Sequence, residues 1–529
     1  MDNATILLGP PGTGKTTTLI ADIADRLETT SAELIGFTSY SRSACEEARS
    51  RAAAKLDLSP SQLVWFRTLH SFCARLLRWD KDQWLSDKDM AEFRKRYGYK
   101  LSSDNRDQSD DNAAGEQAPQ KTKDDQLRSA YEWHRNCRKK ISKYYSGCPF
   151  RVSWRWLEEY ALRYESFKTE KGKRDYTDCL EQVLVQGLAT GLEHLYVDEA
   201  QDLSPLQAAV VEQLATRSKA VTIAGDDDQA IYGFQGADSS WLLGLAKRCP
   251  TRVLSKSWRL PVSVHALSQS LIRSNAVRVA KDFASTERQG EIHYNGELSM
   301  LADLGNETAL VLARGRRQLA PLAGCLFESG VAYKVERGSG RNPLGSQKRI
   351  KAVSAAHRLS QGKELYPDEV VAMVAFVRAQ GSDALLARGD KKLSANLPPF
   401  AHGLADLRKV SDGFNRLVEA ILEQGPAVVL QMRTDSHTRE YFARLLKRYG
   451  KIPQPQVLLG TWHWSKGRQA QHVVVLPDLP GPCWNELHGD RSQKEAERRV
   501  AYVAITRSQK RLTILRPLTR KVFPFRLYG

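Results

Sequence analysis

The feature that most constrains this chain is a glycine-rich loop between a short apolar strand and a helix. It fits the pattern G-x-x-x-x-G-K-[ST], in which glycines turn backbone N–H groups toward phosphates and the helix amino terminus adds its dipole. The loop consists of Gly9, Pro10, Pro11, Gly12, Thr13, Gly14, Lys15 and Thr16, and is followed by Thr17. We expect Lys15 to neutralise the β- and γ-phosphates and the Thr16 hydroxyl to ligate Mg²⁺. The pattern therefore predicts ATP and Mg²⁺ as ligands.

The arrangement of apolar segments predicts an α/β protein. In the first half, short apolar strands end in glycine or polar residues, which is where open parallel sheets bind ligands. We predict these strands at residues 4–8, 34–37, 195–197 and 220–224, with helices at 16–27 and 43–55. A second set of strands is predicted at residues 308–312, 427–431, 457–459 and 473–476. Two α/β units follow from this pattern.

Two carboxylates, Asp198 and Glu199, close the third of these strands. A nucleoside triphosphatase needs one carboxylate for the metal and a second that orients and deprotonates the attacking water. We assign Asp198 to Mg²⁺ and Glu199 to the water. An acidic pair alone is more often a solvated cap, so the assignment depends on the phosphate loop that precedes it.

The charge balance favours a polyanionic partner. The 529 residues include 79 Lys and Arg against 61 Asp and Glu, which gives a net charge of +18. Such an excess is typical of proteins that contact nucleic-acid phosphates, although a solubilising surface is the alternative. No C-x-x-C pair and no long apolar run occurs among these residues. We expect eight reduced cysteines, no membrane segment and a cytoplasmic, nucleoid-associated protein.

Between the second and third strands lies a long insertion with two different compositions. Residues 102–126 lack large aliphatic and aromatic side chains, which predicts a disordered loop. In residues 127–176, aromatic and basic side chains alternate. They could form a single-strand groove, but we favour a helical subdomain in which most aromatics form the core. These aromatics are Tyr131, Trp133, Tyr144, Tyr145, Trp154, Trp156 and Tyr160.

Eight segments in order resemble the motifs of superfamily 1 DNA helicases of the UvrD/Rep type. They are GPPGTGKTT, TSYSRSACEEAR, TLHSF, VDEAQD, AGDDDQAIYGFQGAD, KSWR, GTWHWSKGRQ and ERRVAYVAITRSQ. The resemblance implies two RecA-like motor domains with ATP in the cleft between them, each domain carrying a helical insertion. We place the first motor domain at 1–80 and 180–256, its insertion at 81–179, the second motor domain at 257–345 and 426–529, and a reduced insertion at 346–425.

The resemblance also implies roles for individual residues. Gln229 matches a γ-phosphate sensor, Arg259 and Arg507 match two arginine fingers, and Trp258 matches an aromatic that stacks on adenine. Lys466 and Gly467 match a segment that links the DNA track to the γ-phosphate. Positions that match DNA contacts in the family are Tyr40, His70, Phe234, Thr461 and His463. For Tyr40 and Phe234, core packing is the alternative.

Several departures from the family pattern shape the expected activity. The loop begins eight residues after the start of the sequence, without the upstream glutamine segment that reads adenine in the family, so we expect weak discrimination between ATP and GTP. Gln469 and Gln235 stand where relatives usually carry glutamate and arginine. The second insertion and the tail after residue 511 are short, so removal of proteins from DNA is expected to be stronger than duplex unwinding.

The sequence thus favours an ATP-dependent 3′–5′ single-stranded DNA translocase and DNA helicase. Its expected partners are single-stranded DNA, tailed duplex DNA, and proteins of repair, replication or recombination. Alternatives are a translocase that strips proteins without unwinding and an ATP-regulated DNA-binding switch. Glu199 and the two matched arginines disfavour the switch, because a sensor needs no water-activating base. The second α/β unit and basic excess disfavour a small-molecule kinase.

Overall fold

The protein contains two six-stranded β-sheets with helices packed around them, and every strand pair in both sheets is parallel. The structure is a computed structural model that describes residues 1–39, 42–56, 58–101, 122–141, 147–336, 338–339, 342–432 and 436–525. The expected α/β class with two RecA-like units is therefore confirmed. The residue boundaries of the four predicted domains remain a prediction.

The first sheet has the strand order β3-β2-β4-β5-β1-β6. Its strands are β1 (Ala4–Leu8), β2 (Ile35–Ser39), β3 (Phe66–Thr68), β4 (His194–Asp198), β5 (Ala220–Gly225) and β6 (Thr251–Val253). Strand β1 lies inside the sheet, where Ile6 and Leu8 are fully buried. Because parallel strands end at the same edge, the ends of β1, β4 and β5 bring the phosphate loop beside Asp198 and Gly225.

Helices from the first half of the chain cover this sheet and build an insertion beside it. They are α1 (Lys15–Leu27), α2 (Arg42–Leu56), α3 (Leu69–Leu76), α4 (Asp87–Tyr97), α5 (Lys123–Asn136), α6 (Trp154–Lys171), α7 (Tyr176–Val185), α8 (Pro205–Ala215) and α9 (Ser240–Arg248). Helix α7 contributes Leu180 and Val183 to the core beneath the first sheet.

Helices α4, α5 and α6 form an aromatic core. Phe93, Tyr131, Tyr160 and Phe167 are all buried within it. The expected helical subdomain is confirmed for most of the described aromatics, whereas Trp156 is 56% exposed. Tyr144 and Tyr145 lie outside the described residues.

The predicted disordered loop is too long at its carboxyl end. Residues 123–126 form the first turn of α5, and 102–121 lie outside the described part of the chain. Thr122 caps this turn, because its hydroxyl accepts a hydrogen bond from the backbone N–H of Asp125 (3.0 Å), while the Asp125 carboxylate accepts from the Thr122 N–H (3.0 Å). This reciprocal capping box starts a helix within a strongly polar segment.

A buried ionic network joins the insertion to α7. Lys168 is only 1% exposed, and its ammonium lies 2.7 Å from Asp178 and 3.1 Å from Asp175. Arg135 contacts the same two aspartates and Glu181. Every charge in the network thus faces at least one opposite charge, which is the condition under which buried ions are tolerated.

We expect Lys168→Ala to destabilise this region by about 3–5 kcal/mol, because it removes one of the two cations that pair with Asp175 and Asp178. Hydrogen exchange of the α6 amides measures the local opening free energy. Lys171→Ala is the control, since Lys171 lies three residues along the same helix and pairs with Glu92 at the surface. Equal loss of protection in both variants would contradict the assignment.

The second sheet has the strand order β7-β12-β11-β8-β10-β9. Its strands are β7 (Glu291–Gly296), β8 (Ala309–Ala313), β9 (Tyr333–Val335), β10 (Val457–Thr461), β11 (Ala470–Val475) and β12 (Ser508–Leu515). The helices that accompany it are α10 (Val262–Ile272), α11 (Leu319–Glu328), α12 (Gln347–Ser360), α13 (Pro367–Val374), α14 (Asp390–Ala395), α15 (Leu404–Arg408), α16 (Asp412–Gln424), α17 (Ser436–Tyr449), α18 (Gly481–Leu487) and α19 (Arg491–Ile505).

The predicted strand at 427–431 is wrong. A 3₁₀ helix covers Pro426–Val429 and packs in the core with α12 and α16. Pro426 lacks the N–H that a strand ladder uses, and Gly425 before it has a φ of 89°. A short apolar run does not distinguish a buried strand from a buried helical turn, which explains the error.

A second buried ionic cluster holds the two α/β units together. Lys281, in the segment after α10, is 6% exposed and lies 2.6 Å from Asp227, 3.1 Å from Asp226 and 2.8 Å from Asp228. Arg278 adds a 2.7 Å contact to Asp228. The aspartates follow β5 of the first sheet, so the cluster fixes the start of the second unit beside the edge where the phosphate loop lies.

Within the described residues, we find no helix that combines the length and the apolar character needed to cross a membrane. All eight cysteines are free thiols, as expected.

Candidate nucleotide site and DNA track

The phosphate loop joins β1 to α1 at the carboxyl edge of the first sheet. Gly12 and Gly14 have φ values of 74° and 81°, a region that favours glycine. The Gly9 N–H donates to the Gly225 carbonyl of β5 (3.0 Å), and the Lys15 ammonium donates to the Gly9 carbonyl (2.8 Å). The loop therefore encloses the lysine side chain at the start of α1, where phosphate oxygens are expected.

Asp198 and Glu199 lie beside this loop. The Thr16 hydroxyl donates to Asp198 at 2.6 Å. Burial, reinforced by the neighbouring Glu199 charge, raises the pKa of Asp198 to about 6. Burial alone would also raise the pKa of Glu199, but Lys15 and Lys466 lower it to about 2. Glu199 is thus an ionised base at neutral pH.

The side chains fit Mg²⁺. A hydroxyl and a carboxylate oxygen, the donor types that Mg²⁺ prefers, converge at the amino terminus of α1. Mg²⁺ typically takes one or two carboxylates and completes its shell with water and substrate phosphates. Thr16 and Asp198 supply such a partial set.

We expect ATP hydrolysis to fall as the pH drops through about 6, because protonation of Asp198 removes the charged metal ligand. Metal and proton compete for the same oxygen, so the midpoint should move to lower pH as Mg²⁺ is raised. Initial rates across pH 5–8 at two Mg²⁺ concentrations measure this shift. A midpoint that does not respond to Mg²⁺ would contradict the assignment, and DNA binding measured at each pH controls for unfolding.

Two arginines that lie far from the phosphate loop in sequence, Arg259 and Arg507, reach the site. Arg507, 2% exposed, follows α19 and donates to the Gln229 side chain (2.9 Å). Burial lowers the pKa of Arg507 to about 9 and that of Arg259 to about 10, so both remain cationic at neutral pH. Glu199 acts electrostatically on both guanidinium groups. The structure thus brings together the acidic base, the glutamine and both predicted fingers.

The segment that carries Arg259 is attached to the phosphate loop. The Ser257 hydroxyl donates to the Pro11 carbonyl (2.8 Å), and the Trp258 N–H donates to the Gly12 carbonyl (2.8 Å). A Cβ atom on Gly12 would lie 2.4 Å from that of Arg259, so only glycine fits this approach. Trp258 is 66% exposed, which leaves a ring surface beside the loop for a base.

Arg259 also contacts the second unit through its side chain. Its Nε donates to the Gln469 amide oxygen (2.9 Å), and one terminal nitrogen donates to the Thr506 carbonyl (3.4 Å). Sequence comparison marked Gln469 as a change of charge but did not predict this contact. The sequence feature that could have indicated this contact is the position of Gln469, two residues after Gly467 in the segment expected to face the nucleotide.

Lys466 provides a further link across the cleft. Its ammonium contacts Asp202 (2.7 Å) and donates to the Gln229 carbonyl (2.8 Å). Asp202 is the last residue of the VDEAQD segment, yet sequence reasoning gave it no role. The segment 460–468 therefore contacts both acidic motifs of the first unit, VDEAQD through Asp202 and GDDDQ through Gln229. Gly467, next to this lysine, has a φ of 77°.

The residues predicted to contact DNA fall into different environments. The rings of Phe234 and His463 pack edge to face with centroids 5.5 Å apart. Thr461 and His463 are 1% and 4% exposed, which favours a supporting role over direct contact. His70 lies in α3 with its ring 6.1 Å from that of Tyr176. Tyr40 lies outside the described residues, and all five assignments remain predictions.

His463 is held neutral by its surroundings. Burial and the nearby charges of Arg314 and Lys466 lower its pKa well below the usual value. Arg314 is itself paired bidentately with Glu497 (2.7 and 3.0 Å). This buried pair, which sequence reasoning missed, supports the ring beneath Phe234.

Residues 1–250 match the family model for the UvrD/REP helicase N-terminal domain. This match covers just under half of the 529 residues, and over that part the chain resembles the UvrD/Rep-type superfamily 1 helicases. The ATP-dependent DNA helicase PcrA of Staphylococcus aureus (strain Mu50 / ATCC 700699) is 25% identical over 313 residues, which cover 55% of this chain and 40% of the relative. The ATP-dependent DNA helicase UvrD2 of Mycobacterium tuberculosis (strain CDC 1551 / Oshkosh) is 28% identical over 350 residues, which cover 61% of this chain and 47% of the relative. The chain therefore spans less than half the length of both relatives.

Proposed function

We propose that this chain is an ATP-dependent DNA helicase that translocates 3′ to 5′ along single-stranded DNA. The observation that carries the proposal is the composite site, in which the phosphate loop and Glu199 of the first unit face Arg259 and Arg507. A cation supplied from a second unit makes the rate of ATP hydrolysis depend on how closely the two units approach each other. The names of the relatives support the same activity.

The proposed chemistry assigns one task to each side chain. Lys15 binds the β- and γ-phosphates, and Glu199 orients the attacking water and accepts its proton. Mg²⁺ held by Thr16 and Asp198 would neutralise charge on the phosphate oxygens. Arg259 and Arg507 stabilise the charge that develops on the transferred phosphoryl group. Trp258 stacks on the adenine.

Coupling to DNA is assigned to the segment 460–468. Lys466 contacts Asp202 and the Gln229 carbonyl, and His463 in the same segment packs against Phe234. A change at the nucleotide can therefore reach an aromatic that a DNA base would stack on. Discrete rearrangement of this packed segment is the proposed link between hydrolysis and stepping.

The test compares ATP hydrolysis with and without single-stranded DNA, and the unwinding of 3′-tailed with 5′-tailed duplexes. We expect DNA to stimulate hydrolysis and only 3′-tailed substrates to open. Failure of DNA to stimulate hydrolysis would overturn the motor proposal, and opening of 5′-tailed substrates alone would overturn the direction. Displacement of a protein from single-stranded DNA without strand separation would assign translocation in place of unwinding.

A further inference from the structure

A groove of 970 Å³ lies at the edge of the first sheet opposite the nucleotide site. It is lined by Trp65 just before β3, by Arg67 within β3, and by residues of α3 and of the chain after it. An adjoining cavity includes Leu34 and Leu192, which come just before β2 and β4. The groove is therefore at the amino-terminal edge of these parallel strands, whereas the phosphate loop and Asp198 lie at the carboxyl edge.

The groove carries a concentrated positive charge. Arg67, Arg75, Arg78 and Lys81 line it. Among the described residues, no carboxylate forms an ion pair with these four side chains. Burial together with the charges of Arg75 and Arg49 lowers the pKa of Arg67, as expected where cations are crowded. Uncompensated cations in a concave surface attract a polyanion.

Two tryptophans stand among these cations. The ring of Trp65 packs on Phe72 (4.7 Å between centroids) and lies 5.5 Å from the Arg75 guanidinium. The ring of Trp79 packs edge to face against Trp84 (5.3 Å). Both tryptophans are half-buried, so each keeps some ring surface in the groove. The backing rings hold these surfaces in fixed positions.

We infer that this groove is a second binding site for single-stranded nucleic acid, separate from the predicted DNA track. Sequence-independent single-strand sites combine cations that follow the phosphates with aromatic rings on which bases stack. An acidic peptide would use the four cations but not the two rings. The site does not depend on the motor proposal, because none of its residues contacts the nucleotide site.

The test uses charge removal and the salt dependence of binding. The variant Arg75→Gln/Lys81→Gln changes two exposed side chains in the groove, and Lys447→Gln/Lys451→Gln removes the same charge from exposed positions on the second unit. Binding of oligo-dT of about 10 and about 40 nucleotides is measured without ATP, since one site takes roughly 4–16 nucleotides.

For the longer oligonucleotide, the groove variant should show a slope of log K against log salt that is shallower by about 1.4, because two phosphate contacts are lost. The control pair should leave the slope unchanged. Equal slopes for the groove variant and the parent protein would overturn the second site. Because the binding is measured without ATP, the result remains valid even if the motor proposal is wrong.

Stacking is tested by Trp79→Ala, which should weaken binding of the 40-nucleotide oligomer at least about fivefold. The 10-nucleotide oligomer, which fills the track, should bind as before. Equal weakening of both lengths would overturn a separate role for this ring. Displacement of the longer oligomer by poly-glutamate of equal charge, together with binding that is unchanged in Trp79→Ala, would instead assign the groove to an acidic protein partner.

Discussion

Glu199→Gln is expected to reduce the kcat of DNA-stimulated ATP hydrolysis by roughly 10²- to 10⁴-fold, because it removes the base that takes the proton from the attacking water. Lys15 and Lys466 keep the pKa of Glu199 at about 2, so the parent side chain is fully ionised at neutral pH. The amide has nearly the same shape but carries no charge. ATP affinity should therefore change little while turnover is lost.

Single-turnover hydrolysis and equilibrium binding of a fluorescent ATP analogue separate these two effects. Glu212→Gln is a matched control, since it makes the same chemical change on α8 of the same unit, where Glu212 accepts a hydrogen bond from the indole N–H of the half-buried Trp241 (2.8 Å). A Glu199→Gln variant that hydrolyses ATP within a few-fold of the parent would show that another group activates the water.

Removal of either arginine finger is expected to cost about 10³- to 10⁵-fold in kcat, the range found when such a cation is withdrawn from phosphoryl transfer. Arg259→Ala and Arg507→Ala should also be non-additive, because both guanidinium groups act on one transition state. The double variant should lose much less than the product of the two single losses.

A double-mutant cycle on kcat measures this coupling. Arg498→Ala is the control, because Arg498 lies on α19, the helix that precedes Arg507, and donates to the Ser274 carbonyl and the Asn275 side chain. Arg507→Lys should recover little of the lost kcat, since lysine lacks the planar set of N–H donors that arginine has. Fully additive losses, or a loss confined to ATP affinity, would contradict a shared role.

The sequence predicted the elements that depend on local pattern. A phosphate loop between strand and helix has a fixed geometry, so the sequence alone predicts Thr16 and Asp198 as ligands of one Mg²⁺, and the two side chains are hydrogen-bonded to each other. Seven of the twelve strands in the two sheets were predicted with ends within three residues of those observed, whereas β3, β6, β7, β9 and β12 were not predicted. The run at 427–431 was assigned wrongly because its apolar composition suits any buried segment.

Contacts between distant parts of the chain could not be predicted in this way. The partners of Lys168 and Lys281 depend on how helices and loops pack, and the burial of Thr461 and His463 depends on the same packing. Residues that match DNA-contacting positions of a sequence motif can therefore be buried below the protein surface. The contact of Gln469 with Arg259 joins residues 210 apart in sequence and required the fold.

Arg259 is anchored on both sides of the nucleotide cleft, and this makes the two fingers unequal. The backbone beside it is bonded to the phosphate loop through Trp258 and Ser257, while its side chain is bonded to Gln469 of the second unit. When the units separate, the side-chain bond must break while the backbone bonds can persist. We propose that Arg259 then stays with the loop as a resident cation, whereas Arg507 moves with the second unit and switches hydrolysis on and off.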